Sequence, residues 1–184
     1  MRVISGSAKG RQLKSPGKAT RPITDRVKEN LFNILGTRAI DANVLDLYAG
    51  AGSVGVEALS RGARHATFVE MDGQALRAIR ENLQLTKLAN RATLVRENVF
   101  KFINRAPTEP YDLIYVAPPQ YKDLWWQTIH SLDGREFLTP NGILVAQIHP
   151  KEFRELELNS YELTDQRKYG STMLCFYRRK PVDG

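Results

Sequence analysis

One cysteine, three histidines and two tryptophans are scarce means for a chain of 184 residues, and each scarcity excludes something. A lone Cys175 forms no internal disulfide, and its setting in Met173-Leu174-Cys175-Phe176-Tyr177 is that of a buried strand, so a core thiol is expected rather than a nucleophile. His65, His130 and His149 stand apart without H-x-x-H or Cys/His spacing, so no metal site is expected. Gly52-Ser53-Val54-Gly55 fails the G-x-S-x-G elbow of serine hydrolases, and no catalytic triad suggests itself. Nowhere is there an apolar run long enough to span a bilayer, and the start Met1-Arg2-Val3-Ile4-Ser5-Gly6 carries no long apolar stretch. The expectation is a soluble, cytoplasmic monomer with no membrane partner. Internal repeats and low-complexity tracts are absent as well. With 42% hydrophobic residues the chain can bury one core. One domain is expected over residues 1–184, with residues 1–36 as a basic extension.

Acidic residues are scarce in one place. Residues 1 to 28 hold Arg2, Lys9, Arg11, Lys14, Lys18, Arg21, Arg26 and Lys28 against Asp25 alone, a surplus equal to the formal net charge of +7 for the whole chain. The remaining 19 basic and 19 acidic residues, from totals of 27 and 20, cancel. A charge run is most often a solvated face or a tail. This one is interleaved with Val3, Ile4, Leu13 and Ile23, and Ser5-Gly6-Ser7-Ala8-Lys9-Gly10 between two apolar runs reads as a hairpin-like turn. An ordered basic module suits a polyanion, whose phosphates would supply affinity and salt dependence but little sequence information. Arg2, Lys9, Arg11, Lys14, Arg21, Arg26 and Lys28 are the candidate contacts to such a polyanion. Thr24 is a plausible N-cap for a helix through Val27, Leu31, Ile34 and Leu35 that Gly36 ends. Arg21, Arg26 and Lys28 crowd the start of that helix, where the dipole disfavours cations and a docked anion would explain them.

Glycine is concentrated where it matters. Val44-Leu45-Asp46-Leu47-Tyr48-Ala49-Gly50-Ala51-Gly52-Ser53-Val54-Gly55 reads as a buried strand, a glycine turn and the opening of a helix. At Gly50 and Gly52 the missing Cβ lets the backbone turn sharply and approach a ligand, and Gly55 lets the helix lie close on the strand. The helix amino terminus aims free N–H groups at that ligand. The three glycines also fit the G-x-G-x-x-G of nicotinamide and flavin enzymes. Asp46 argues otherwise, because a pyrophosphate does not welcome an anion four positions before Gly50, whereas a ligand with a sulfonium and an ammonium does. The segment resembles the cofactor loop of S-adenosylmethionine-dependent methyltransferases.

Further strands are expected at His65 to Glu70, Ala92 to Val95, Tyr111 to Val116, Ile143 to Ile148, Glu162 to Lys168 and Thr172 to Tyr177. Helices are expected near Ser53 to Arg61, Gly73 to Thr86, Val99 to Asn104 and Asp123 to Leu132. Their alternation predicts an α/β fold with a mostly parallel, doubly wound sheet. Tyr169-Gly170-Ser171 leaves no room for a helix, so the last two strands form an antiparallel pair. The sum is a seven-stranded Rossmann-like sheet with an antiparallel last strand and a basic hairpin-plus-helix extension at its amino terminus.

Ligands in such sheets gather at the carboxyl ends of the strands. There Glu70 is placed to accept from ribose hydroxyls, Met71 to pack on an adenine, and Asn98, beside Val99, either to bond an adenine edge or to cap the next helix. With Asp46, Tyr48, Ala49, Gly50 and Gly52 these make up the candidate cofactor site. After the strand ending at Val116 comes Ala117-Pro118-Pro119-Gln120-Tyr121, in which two prolines end the ladder and stiffen a loop facing the cofactor. The loop resembles the Asp/Asn/Ser-Pro-Pro-aromatic motif of enzymes that methylate exocyclic amino groups of bases, so Ala117, Pro118, Pro119 and Tyr121 are the catalytic candidates. Ala117 stands where that motif has a polar acceptor, and the aromatic comes one residue late. A lost hydrogen bond to a charged acceptor removes roughly 1.5 to 3 kcal/mol, about 10- to 150-fold in rate. Tyr121, Trp125, Ile129 and Leu132 fall on one helical stripe and read as core, with Trp126 off the stripe and exposed.

Nearly the whole chain resembles the bacterial RsmD-type methyltransferases. The resemblance runs through Met1 to Gly6, Gly10-Arg11-Gln12-Leu13, Thr20-Arg21-Pro22-Ile23-Thr24-Asp25-Arg26-Val27-Lys28-Glu29, Leu45 to Gly52, Glu57-Ala58-Leu59-Ser60-Arg61-Gly62-Ala63, Tyr169 to Thr172 and Tyr177-Arg178-Arg179. It implies transfer of a methyl group from S-adenosylmethionine, leaving S-adenosylhomocysteine, to the N2 of a guanine in small-subunit ribosomal RNA, on an assembling subunit and without a metal. Asn98 departs from the family, which often has Asp there. Two other readings stand beside this one: a DNA amino-methyltransferase, and an RNA-binding assembly factor whose catalysis Ala117 has weakened. A nicotinamide-dependent dehydrogenase is disfavoured by Asp46 and the antiparallel ending.

Overall fold

The structure, a computed structural model, describes residues 1–17 and 22–182. Lys18 and Arg21 of the basic segment lie outside the described residues.

The chain runs α1 (Asp25–Leu35), β1 (Asn43–Leu47), α2 (Ser53–Ser60), β2 (His65–Glu70), α3 (Gly73–Thr86), β3 (Ala92–Arg96), α4 (Val99–Asn104), β4 (Tyr111–Val116), α5 (Leu124–Leu132), β5 (Leu138–Ile148), β6 (Tyr161–Tyr169) and β7 (Thr172–Arg179). The strands form one seven-stranded sheet in the order β3-β2-β1-β4-β5-β7-β6. From β3 to β5 all pairs are parallel, and β7 runs antiparallel to both its neighbours, β5 and β6. The expected class and the antiparallel ending are both present. The order reverses beside β1, and a crevice opens there at the carboxyl ends of the strands.

Local chemistry accounts for the elements. All five residues of β1 are buried, as a central strand covered on both faces requires. Thr24 caps α1 by accepting the Val27 N–H at 3.2 Å, and Gly36 ends it at φ 57°. Asp72 caps α3 through the Ala75 N–H at 3.1 Å. The strands β3, β6 and β7 run one or two residues beyond the expected bounds, and three further boundaries differ. Asp123 adopts φ 57°, so α5 begins at Leu124. Ser60 ends α2 one residue early. The largest difference is in β5, which starts at Leu138 rather than Ile143. Thr139-Pro140-Asn141-Gly142 reads as a turn, but tertiary pairing of Leu138 with Tyr111 absorbs it as a register shift.

The amino-terminal arm doubles back as expected, with Gly10 N–H donating to Val3 O at 2.8 Å and Val3 N–H to Arg11 O at 3.0 Å. Among the described residues its only ladder is the isolated Arg2–Gln12 bridge, too short to be a hairpin of strands. What fixes it is α2. Glu57 accepts from the Ile4 and Ser5 N–H groups at 2.8 and 3.1 Å, and the Ser60 hydroxyl from Ala8 N–H at 2.9 Å. At Gly6, φ 90°, an added Cβ would lie 1.9 Å from the Ser60 carbonyl oxygen, so only glycine passes there. Val3, Leu13, Ile23, Leu31 and Phe32 share one apolar cluster with Val44, Phe68 and Val145 of the sheet.

Lys28 overturns an expectation. It is fully buried, its Nζ 3.4 Å from Glu57 Oε1 and donating to Ser53 Oγ at 2.9 Å and to the Arg2 carbonyl. Burial lowers its pKa, against the pull of Glu57. It pins the arm and α1 to α2 and offers nothing to RNA. Its spacing to Leu31, Phe32 and Leu35 already set it on the apolar face of α1.

Candidate active site at the carboxyl ends of the strands

A cavity of about 820 Å³ opens where β1, β2, β3 and β4 end, a size suited to a nucleoside-like ligand. One wall carries Gly50, Glu70, Met71 and Asn98, the opposite wall Ala117, Pro118, Pro119 and Gln120. A side chamber of about 80 Å³ shares Tyr48, Gly50, Ala117 and Gln147 with it, and so adjoins it. Asp46, Ala49 and Tyr115 line this chamber, together with Met1, Pro16, Pro22 and Ile23 of the arm. The basic segment therefore closes part of the site.

The glycine turn divides its labours. Gly50 holds φ 59°, and a Cβ added there meets nothing within 4 Å, so it would stand in the open space the residue lines. Gly52, also at positive φ, lines neither cavity. Its Cβ would press on Phe68 and Ile79 at 3.1 and 3.3 Å, so this glycine serves the turn and the packing rather than contact with a ligand. At Gly55 a Cβ would lie 2.3 Å from Phe68 Cε1, which is the close approach of α2 to the sheet that its position predicts. Tyr48, at φ 59°, is a strained residue at the centre of the site, held by a 2.8 Å hydrogen bond to the Thr128 hydroxyl.

Two carboxylates flank the turn. Asp46 is 2% exposed, and its Oδ2 accepts the Gly55 N–H at 3.1 Å. Burial raises its pKa to about 8, the Gly55 bond opposes the rise, and Glu70 adds to it. The group is thus poised to ionise when a cation enters the chamber. Glu70 accepts the Gly50 N–H at 3.4 Å and is itself shifted upward by burial. Asn98 caps the next helix, one of the two roles expected of it, and stands at the cavity, where the other would be played. Its Oδ1 caps α4 through the Phe100 N–H at 2.8 Å, while the residue lines the cavity beside Val99. Met71, 61% exposed, lies on the same wall.

Across the cavity the two prolines hold the loop after β4. Tyr121 does not belong to the buried stripe: it sits at φ 61°, 64% exposed, its N–H donating to Glu152 Oε1 at 2.6 Å and its ring 5.5 Å from that of His149. A left-handed residue before the helix breaks the 3.6-residue period that the stripe assumed. Trp125, Ile129 and Leu132 are core as expected. Trp126, expected exposed, is half-buried under the Arg154 guanidinium, 4.5 Å from the ring centre. Gln147, which lines both cavities, is the residue here that sequence reasoning missed. Its signal, a lone amide in Ile143-Leu144-Val145-Ala146-Gln147-Ile148, is visible in the sequence but says nothing of which face it occupies.

On the arm, Lys9, Arg11 and Arg26 are exposed. Arg2 pairs with Asp25 at 3.3 Å and Lys14 with Glu81 at 3.0 Å, both at the surface, where such pairs contribute little.

The family model described as Conserved hypothetical protein 95 matches residues 1–178. A Ribosomal RNA small subunit methyltransferase D from Escherichia coli (strain K12) is 33% identical over 98% of this chain and 90% of its own length. The chain belongs to this family, the RsmD-type methyltransferases. An rRNA methyltransferase of Bacillus subtilis (strain 168), provisionally named YlbH, is 35% identical over 98% of this chain and 100% of its own. The solved structure of a provisionally named methyltransferase, yhhF, from Escherichia coli superposes with a TM-score of 0.86 at 32% identity, covering 98% of each chain.

Proposed function

We propose that this protein transfers a methyl group from S-adenosylmethionine to the exocyclic N2 of a guanine in small-subunit ribosomal RNA, in the cytoplasm. The observation that carries the reading is the single cavity in which an acid-flanked glycine turn faces Ala117-Pro118-Pro119. The residues present fit the cofactor: a cradle at Gly50 that a Cβ would fill, a buried carboxylate at Asp46 with one protein hydrogen bond, and Glu70 at the end of β2. In this reading Asp46 receives the ammonium, Glu70 the ribose hydroxyls, and Met71, Asn98 and Val99 the adenine. When bound, S-adenosylmethionine supplies an electrophilic methyl on its sulfonium. The chain's part is positioning, with the Ala117 and Pro118 carbonyls accepting from the amine and the prolines keeping them in place, so that nitrogen, methyl and sulfur fall in line. The target base must leave its stack to reach the cavity. Lys9, Arg11 and Arg26 would hold phosphates around it, and the names of the relatives support ribosomal RNA as that polyanion.

The test is transfer of labelled methyl from S-adenosylmethionine to small subunits purified from a strain lacking the gene. One N2-methylguanine per subunit is expected, and an unlabelled RNA would overturn the reading. The apolar methyl of Ala117 favours a second reading, an assembly factor on the same fold. Binding of S-adenosylhomocysteine by calorimetry with no methyl transfer to the subunits would establish that one instead.

A further inference from the structure

The acceptor wall has lost its side-chain acceptor at Ala117, yet a polar group stands beside it. In the parallel register Val116 is opposite Ala146, which makes Ala117 and Gln147 the next pair at the carboxyl ends of β4 and β5. Both residues line the cavity and its side chamber. The Tyr115 hydroxyl, on the same face one alternation earlier, donates to Gln147 Oε1. No protein hydrogen bond engages Gln147 Nε2 among the described residues. One end of this amide is therefore held and the other is free at the cavity. We propose that Gln147, held by Tyr115, is the side-chain acceptor for the amino group being methylated, in place of the polar residue absent at Ala117; this rests on the methyltransferase reading above.

The chemistry allows it without a charge. A neutral tyrosine hydroxyl donates and accepts, so turning the amide over keeps the Tyr115 bond, now from Nε2, and presents Oε1 to the substrate N–H. Burial, with Asp46 nearby, keeps Tyr115 protonated by pushing its pKa well above 10. The held amide loses little further rotamer freedom when substrate arrives, which is the benefit of preorganisation. The carboxylates that line the large cavity, Glu70, Asp72 and Glu97, belong to the ends of β2 and β3, on the opposite wall. An amide at the acceptor wall also distinguishes bases by pattern. It accepts from an amino group and its other end can donate, whereas a carboxylate only accepts.

The experiment measures methyl transfer to gene-deleted small subunits by the full chain, with Gln147→Met as an equal-volume replacement that can neither accept nor hold Tyr115. The expected result is a fall of about 10- to 100-fold in kcat, from an amine left without its partner, while the calorimetric Kd for S-adenosylhomocysteine stays at its wild-type value. Because the replacement also leaves the buried Tyr115 hydroxyl without its partner, the Tm falls by roughly 2 to 10 °C, and rates are compared well below the transition. Gln147→Glu, which keeps an acceptor, retains transfer. Adding Ala117→Asp to Gln147→Met restores it, whereas Ala117→Asp alone raises the wild-type rate less than about threefold, because the acceptor is already supplied. Wild-type kcat in Gln147→Met overturns the proposal, and so does a loss matched by weaker cofactor binding or one that Ala117→Asp does not restore, which marks a structural role. Absence of transfer by the unaltered chain is a different result. It overturns the methyltransferase reading itself and this inference with it.

Discussion

The wall of the cavity at the ends of β1, β2 and β3, the donor wall of the proposed reaction, is built from turn geometry and carboxylates, whereas the acceptor wall, at the ends of β4 and β5, carries two prolines, the amides of Gln120 and Gln147 and the cation of Lys122, with no carboxylate. In the proposed reaction the donor wall would meet a ligand that is the same in every turnover, and its features are local: a positive-φ glycine, an acid four residues before it, an acid at the next strand end. The acceptor wall would have to hold a weakly nucleophilic amine at the right angle, and that depends on how two strands register. One wall is specified within a dozen residues. The other is specified by a pair of residues 30 apart in the sequence, Ala117 and Gln147.

The largest effect that would break this contrast is at neither wall but behind the donor turn. Lys28→Met leaves Glu57 buried with only Arg61 as cation and frees the Ser53 hydroxyl at the start of α2. A loss of about 3 kcal/mol is expected, or about 6 to 12 °C in Tm by calorimetry. An unchanged Tm would mean that the arm does not hold the turn. Gly50→Val comes next, since a branched side chain at φ 59° is strained and fills the cavity. S-adenosylhomocysteine should bind at least ~100-fold more weakly, about 2.7 kcal/mol, with the RNA affinity of the arm preserved.

Asp46 sharpens the comparison through pH. Its pKa is raised from 3.8 to about 8, so the folded chain binds this proton more tightly than the unfolded one. Its contribution to stability therefore falls as pH rises from about 4 to about 8, the reverse of an ion-paired carboxylate. Urea melts of Asp46→Asn should lose that part of the fall. A ligand ammonium favours the ionised carboxyl, so affinity for S-adenosylhomocysteine should rise from pH 6 towards 8. It should decline only at still higher pH, where the ligand's own ammonium gives up its proton. Asp46→Asn should flatten the rising limb and cost roughly tenfold at pH 8. If the mutant kept the limb, the ammonium would bind elsewhere.

The smallest effect concerns the arm. Replacing Lys9, Arg11 and Arg26 with Ala should lower the slope of log K against log salt for RNA binding by about 2 to 3, with cofactor binding untouched. Lys28→Met should leave that slope alone at temperatures where it stays folded. A matching drop would return Lys28 to the RNA-facing set.

The fold was legible because its signals are local and repeated. Caps at Thr24 and Asn98, glycine at position 36 and strand-length apolar runs locate most elements within a residue or two. β5 was misjudged at its start because Pro140 and Gly142 announce a turn that pairing with β4 overrides. At the site, the positions of Gly50, Glu70, Asn98 and Val99 follow from strand ends alone. Lys28 was misassigned because counting charge ignores direction, although its place on the apolar face of α1 was there to see. Gly52 was misassigned because positive φ is shared by glycines that meet a ligand and glycines that meet Phe68. Gln147 was overlooked because alternation along a buried strand does not say which face is polar.

By itself, the sequence determined the doubly wound sheet, the cofactor turn and the concentration of charge at one end, since each arises from residues adjacent in the chain. Tertiary structure alone decided two things: that the basic arm closes the chamber over Asp46, and that Gln147 stands beside Ala117. Each depends on packing between elements far apart in the chain, where burial and register choose among side chains that local pattern treats alike.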